Sequence, residues 1–367
     1  MRAPFLAVLA AACAVALTTP AAAAPREAIG GAALASGGLV VSADPGTPAL
    51  PKLPATGSWL VADAGTGAVL AAKAPHTRFL PASTLKTLTA VTLLPLLDPT
   101  STTVASQADA AVDGSKVGLV PGMSYTLDTL FTAMLVVSGN DAADALAEAA
   151  GGIPHTVDLM NAEARHLQAF DTLARTPSGL DAAGETTSAY DLALNARAGL
   201  AMPAFRHYIG VVRSEVPAPH HKHFEIYTHN HLLTTYRGDI GVKNGYTVKA
   251  GATYVGAATR GGRTIIVTLM KAQPDFWPEA RALLDWGFAA DGAVQPVGTL
   301  VDPATQTAQH ADFHTRPAVT TTLAPTHPGI PVPAWEIGLL AASAAVLVVV
   351  STRRMRRRRS RLSLPPL

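Results

Sequence analysis

Cysteine is nearly absent from the 367-residue chain: Cys13 is its single occurrence. It falls within Met1 to Ala24, where Arg2 precedes an apolar run from Phe5 to Leu17 and an exit at Ala21-Ala22-Ala23-Ala24, the layout of a secretory signal peptide. Ala10, not leucine, stands three residues before Cys13, which argues against lipid attachment there. Cleavage near Ala24 would leave no cysteine, excluding disulfides, thiol catalysis and cysteine-ligated zinc. Lysine is scarce, with eight in the chain. An excess of basic charge is also missing from the central part. The whole chain has 28 Lys+Arg against 26 Asp+Glu and a pI near 8.7, but residues 25–334 carry 20 basic and 25 acidic residues. The basic pI describes a tail and gives no reason to expect nucleic acid as a partner.

That tail holds Arg353, Arg354, Arg356, Arg357, Arg358, Arg359 and Arg361, directly after an apolar run from Ile337 to Val350. With Trp335 ahead of the run, this reads as a stop-transfer helix with its basic flank in the cytoplasm. The expected layout is a signal peptide at 1–24, a linker at 25–52, one folded domain at 53–298, a Thr/Pro-rich linker at 299–333, a transmembrane helix at 334–352 and a basic cytoplasmic tail at 353–367. The domain would then sit on the extracytoplasmic side of the cell membrane, held by a single pass.

Within the domain, Ser58 to Asp63 and Ala68 to Ala71 flank Ala64-Gly65-Thr66-Gly67 and predict a β-hairpin. A helix is expected from Pro81 to about Leu94, followed by helices at Thr126 to Val137 and Asp141 to Ala150. Asp239 to Lys243, Thr253 to Ala258 and Arg263 to Leu269 predict consecutive strands before a last helix at Pro278 to Phe288. One short strand is expected near Leu39 to Ser42. This order suits an α+β domain in which an antiparallel sheet, drawn from both ends of the domain, packs between helices.

Three short motifs carry chemistry. Ser83 and Lys86 are spaced i, i+3 at a helix entrance, so a hydroxyl and an amine share one face. Burial and the positive end of the helix would both disfavour the ammonium form, and a neutral lysine can take the serine proton. A Ser/Lys pair in a first turn is ordinarily a solvated face, but Lys86 is the only lysine here with serine three residues before it. Ser138-Gly139-Asn140 alone reads as a turn and helix cap, and functionally as a proton relay plus a fixed amide. Lys243-Asn244-Gly245 alone reads as a solvent-facing lysine before a turn, and functionally as a cation for an anionic substrate beside a glycine that admits substrate backbone.

In this order, separated by 55 and 105 residues, the motifs resemble the active site of penicillin-binding proteins and serine β-lactamases. Phe79 to Lys86, Val137 to Ala142, Gly179-Leu180, Thr187 to Ala193, Asn230 to Leu233, Gly241 to Thr247, Ala250-Gly251 and Val255 to Ala258 are similar to the low-molecular-weight D-alanyl-D-alanine carboxypeptidases. The resemblance covers about residues 55–290. It implies a β-lactamase/transpeptidase-like α+β fold and a serine carboxypeptidase acting on peptidoglycan stem peptides, with β-lactam antibiotics as covalent inhibitors. In that reading Ser83 is the nucleophile, Lys86 its base, Ser138 a proton relay and Asn140 an orienting amide. Lys243, Asn244 and Gly245 bind substrate, and the backbone N–H groups of Ser83 and Tyr246 form the oxyanion hole. No cofactor and no metal are expected.

Two departures from the family pattern bear on activity. Asn244 stands where the family usually has threonine, and only Lys271 or Gln273 is available where some relatives carry an arginine for the substrate carboxylate. A catalytically weak wall-peptide binder is therefore the alternative. A class A β-lactamase is disfavoured: neither Glu163 nor Glu185 has the Leu-Asn sequence expected three residues after a deacylating glutamate. His220, His221, His223, His229 and His231 are close in sequence but read as an exposed polar hairpin, since no cysteine or carboxylate partner lies close by.

Overall fold

The computed structural model describes residues 29–305 apart from 43, 54 and 55. The expected signal peptide, transmembrane helix and basic tail lie outside the described residues; among those described, no helix is long and apolar enough to cross a membrane.

A short 3-10 turn, Ala32–Ala35, leads to β1 (Leu39–Val41) and the hairpin β2 (Ser58–Asp63) and β3 (Ala68–Lys73). Asp63 shapes the hairpin turn by accepting from the N–H and hydroxyl of Thr66 at 2.6 and 2.7 Å. A second 3-10 turn, Ala82–Leu85, runs into α1 (Lys86–Leu93). There follow β4 (Thr102–Val104), α2 (Gln107–Ala111), β5 (Ser124–Thr126), α3 (Leu127–Val136), α4 (Asn140–Ala149), α5 (Ile153–His166), α6 (Ala189–Ala201) and α7 (Pro203–Ile209). Thr126 and Ser188 cap α3 and α6 by accepting the N–H groups of Thr129 and Asp191. The hairpin β6 (Arg213–Ala218) and β7 (Lys222–Tyr227) and the turn α8 (Leu232–Thr235) precede β8 (Asp239–Thr247), β9 (Gly251–Arg260), β10 (Arg263–Ala272), α9 (Trp277–Ala290) and β11 (Gly298–Thr299).

The main sheet runs β1-β3-β2-β10-β9-β8, with β11 also on β3 and every pair antiparallel. Both faces are covered, so its central strands are apolar throughout and not alternating. In β2, Leu60 and Ala62 join the core beneath α1 and α6, while Trp59 and Val61 join a second core under Leu283, Leu284 and Trp286 of α9.

Two details depart from the sequence reading. The expected helix from Pro81 opens as a 3-10 turn, so Ser83 lies in that turn and Lys86 begins α1. The sheet also draws on both expected linkers: β1 covers Ala71 to Lys73 of β3, and β11 covers Ala68 and Val69. β1 falls on the short strand expected near Leu39 to Ser42, whereas β11, two residues long, is too short for a period-2 pattern to mark it.

Candidate active site

The Ser83 turn is held from three sides. The Pro81 carbonyl accepts from Thr84 Oγ1 at 2.6 Å within the turn and from Thr253 Oγ1 of β9 at 2.8 Å. Ala82 adopts a left-handed φ of 47°, and its carbonyl lies so close to Gly179 that a Cβ there would be 1.9 Å away. Only glycine fits at 179.

Lys86 is fully buried, and its Nζ contacts Ser83 Oγ at 3.0 Å, Asn140 Oδ1 at 2.6 Å and the Ser178 carbonyl at 2.7 Å. None of these partners is charged. Burial first, then the nearby Lys243 charge, hold the Lys86 pKa well below the usual lysine range. A neutral amine has two N–H bonds and one lone pair. The carbonyl oxygens of Asn140 and Ser178 occupy the N–H bonds, which leaves the lone pair facing the Ser83 hydroxyl.

Asn140 opens α4, and its neighbourhood explains its aim. Its Nδ2 donates to the Asp113 carbonyl at 2.7 Å and its backbone N–H to the Ser115 carbonyl at 2.8 Å. Asp141 accepts from the N–H groups of Val117, Gly118 and Leu119 at 2.8–3.0 Å, so the start of α4 holds the 113–119 loop beside the site. Ser138 is buried with φ at 63°, a left-handed conformation uncommon for serine.

On β8, Lys243 is buried and its Nζ donates to the Asn244 carbonyl; burial brings its pKa down to about 7. Strand alternation places Gly245 on the same face. A Cβ at Gly245 would lie 2.5 Å from Ser83 N and 3.0 Å from Thr84 N, so its absence lets β8 press against the nucleophile turn. The first motif thus meets the second through the Lys86–Asn140 bond and the third through the packing of Gly245 on Ser83, and the Lys243 charge helps to depress Lys86. Thr247 Oγ1 donates to Asp181 at 2.7 Å, tying the end of β8 to the segment that carries Ser178.

Asn244, Gly245 and Tyr246 line a cleft of about 310 Å³ together with His229, His231, Phe276 and Trp277. Tyr246 is exposed, while Asn244 is half-buried. Lys271 sits at an irregularity in β10 and donates to the Lys249 carbonyl at 2.8 Å. A larger cavity, about 920 Å³, opens at the β2–β3 and β9–β10 turns and contains none of the motif residues. Size therefore does not mark the chemistry here; the convergence of Ser83, Lys86, Asn140 and Gly245 does.

The remaining candidates lie as follows. Glu163 is in α5, and Glu185 is buried with its carboxylate on the Arg175 and Thr176 N–H groups. His220 and His221 form the β6–β7 turn and His223 lies in β7, as the expected hairpin requires, but His229 and His231 lie beyond it, outside any strand. His231 stacks on Trp277 at 4.7 Å. Among the described residues, His76, Asp171 and Asp191 form a group with metal-compatible spacing, but His76 Nδ1 and Asp171 already bond each other at 2.8 Å. Motif reading did not single out the carbonyls of Ser178 and Asp113. Backbone oxygens carry no residue signature; only the Gly179-Leu180 element of the resemblance pointed near them.

The profile of the D-alanyl-D-alanine carboxypeptidases, peptidase family S11, matches residues 46–274. The chain belongs to this family. It is 42% identical over 251 residues to the D-alanyl-D-alanine carboxypeptidase DacB2 of Mycobacterium tuberculosis, covering 66% of this chain and 86% of the relative. The crystal structure of a D-alanyl-D-alanine carboxypeptidase from Mycobacterium tuberculosis H37Rv matches with TM-score 0.66 at 40% identity, over 72% of this chain and all of that one. The Streptomyces K15 DD-transpeptidase matches with TM-score 0.63 at 27% identity, over 66% of this chain and all of that one. The α+β fold with an antiparallel sheet, expected from the motifs, is the fold this family member has.

Proposed function

We propose that the protein is a serine D-Ala-D-Ala carboxypeptidase that removes the terminal D-alanine from peptidoglycan stem peptides. The observation that carries this reading is the Lys86 amine, buried, bonded to two fixed carbonyl oxygens and 3.0 Å from Ser83 Oγ. Ser83 Oγ attacks the carbonyl between the last two D-alanines while its proton passes to Lys86. The N–H groups of Ser83 and Tyr246 receive the developing oxyanion, each donor contributing roughly 3–4 kcal/mol in comparable enzymes. Collapse of the tetrahedral species breaks the C–N bond, and the proton held by Lys86 reaches the departing D-alanine nitrogen by way of Ser138. Asn140 holds Lys86 and the substrate amide. Lys243, with Asn244 beside it, attracts the terminal carboxylate, and Gly245 gives the substrate backbone access to β8. Water then hydrolyses the Ser83 ester. A β-lactam follows the same first step, its ring opening onto Ser83, and its slow release makes it an inhibitor.

Purified protein should release D-alanine from a stem pentapeptide at a rate of order 1 per second or faster. Asn244, together with the engagement of Lys271 by Lys249, favours a second reading, a wall-peptide binder with little turnover. Tight pentapeptide binding without D-alanine release selects that reading; neither binding nor release removes both.

We further propose that a signal peptide at 1–24 exports the chain and that residues 334–352 anchor it, with the catalytic domain outside the cell membrane. The support is the apolar run from Ile337 to Val350 between Trp335 and seven arginines. Detergent should be needed to release the intact protein from membranes; release by high salt alone contradicts the anchor.

A further inference from the structure

Glu185 is 1% exposed and takes no part in the proposed reaction, yet it is wired to the base. Its Oε2 accepts from the N–H of Arg175 at 2.9 Å, the N–H of Thr176 at 2.9 Å and the hydroxyl of Thr176 at 3.1 Å. Thr176 Oγ1 in turn accepts from the Gly179 N–H at 2.9 Å. The turn so fixed delivers two carbonyls to α1, that of Pro177 to Thr89 Oγ1 and that of Ser178 to Lys86 Nζ, both at 2.7 Å. Glu185 Oε1 has no partner among the described residues, so the carboxyl spends one oxygen entirely on this turn.

We infer that Glu185 is a positioning residue for Lys86: by fixing the turn at Arg175 to Gly179 it aims the Ser178 carbonyl at the amine and so governs how Lys86 meets Ser83. This rests on the reading of Ser83 as nucleophile and Lys86 as its base. The charged groups that bear on Lys86 are Lys243 from β8, Asp141 and Asp144 from α4, and Glu185. Lys243 pushes the amine toward neutrality and the three carboxylates oppose it. Burial raises the Glu185 pKa, the Arg175 and Thr176 N–H groups and the Thr176 hydroxyl pull it down, and the Asp181 charge adds to the rise. Deleting the Glu185 charge while keeping an acceptor oxygen therefore makes Lys86 neutral at lower pH. A group that merely filled space would not move this limb.

The test is the rate of Ser83 acylation by a fluorescent penicillin across pH, on the full chain. Glu185→Gln should shift the acidic limb to lower pH by ~0.3 unit or more. A profile superimposable on wild type overturns the inference. Where Glu185→Gln does not fold, Thr176→Val cuts the same connection at its hydroxyl and should slow acylation several-fold at neutral pH; a wild-type rate overturns it. Ser83→Ala run in parallel separates the two levels, because labelling of that variant indicts the nucleophile assignment and not Glu185.

Discussion

Two clusters of titratable side chains flank the stretch from His76 to Lys86, and they are built on opposite principles. In the first, His76 bonds Asp171 through Nδ1 at 2.8 Å and faces the Ile29 carbonyl through Nε2 at 3.0 Å, while Arg78 also bonds Asp171. Opposite charges meet there, and the His76 pKa is raised: burial lowers it, but the combined pull of Asp171, the Ile29 carbonyl and Asp191 outweighs that. In the second, Lys86 and Lys243 are buried without a charged hydrogen-bond partner, and both pKa values are lowered, chiefly by burial. The first cluster pins the N-terminal segment to the domain. The second keeps amines poised to lose protons, which costs stability and serves chemistry.

The sharpest way to break this comparison is to exchange the consequences of mutation. Ser83→Ala should reduce D-alanine release by roughly 10⁴-fold or more with the denaturant midpoint unchanged. Lys86→Met should slow acylation by roughly 10²–10⁴-fold, yet leave stability equal or raise it by about 1–4 kcal/mol, since a polar amine that is costly to bury is replaced by an apolar chain of similar length. Asp171→Ala should do the reverse, lowering stability by about 1–3 kcal/mol in urea titrations while D-alanine release changes by less than about twofold. Gly245→Ala probes the contact between β8 and the Ser83 turn. Its new Cβ would sit 2.5 Å from Ser83 N, and the resulting shift should cost roughly 100-fold in acylation rate.

The smallest effect is the response of stability to pH, where the clusters differ in sign. Lys243 has its pKa lowered from 10.5 to about 7, so between those values the unfolded chain binds more protons and this residue makes stability rise with pH. His76 is raised above 6.5, so its contribution is full below that value and is lost as pH climbs through the folded pKa. Lys243→Met should flatten the rise and His76→Gln the fall, as read from unfolding midpoints between pH 5 and pH 10. Substrate affinity should also weaken as pH passes about 7 and Lys243 loses its charge.

The site's side chains were legible in the sequence because each motif couples a chemical group to a local geometry: Ser83 and Lys86 to one turn, Lys243 and Gly245 to one strand face. The sheet's meander of β8, β9 and β10 was legible for a similar reason, since long apolar runs between glycines have few other uses. What escaped is what depends on backbone or on distance. The Ser178 and Asp113 carbonyls could belong to any residue type, and Glu185, weighed only as a deacylating base, turns its carboxylate onto the Arg175–Thr176 backbone. β11 escaped too, since its two residues are a strand only because they pair with Ala68 and Val69 of β3.

The most direct measurement is intact mass after exposure to penicillin, wild type beside Ser83→Ala. The account predicts a single covalent adduct on wild type and none on the variant. An adduct on both proteins, or on neither, would contradict the assignment of Ser83 as the nucleophile that Lys86 activates.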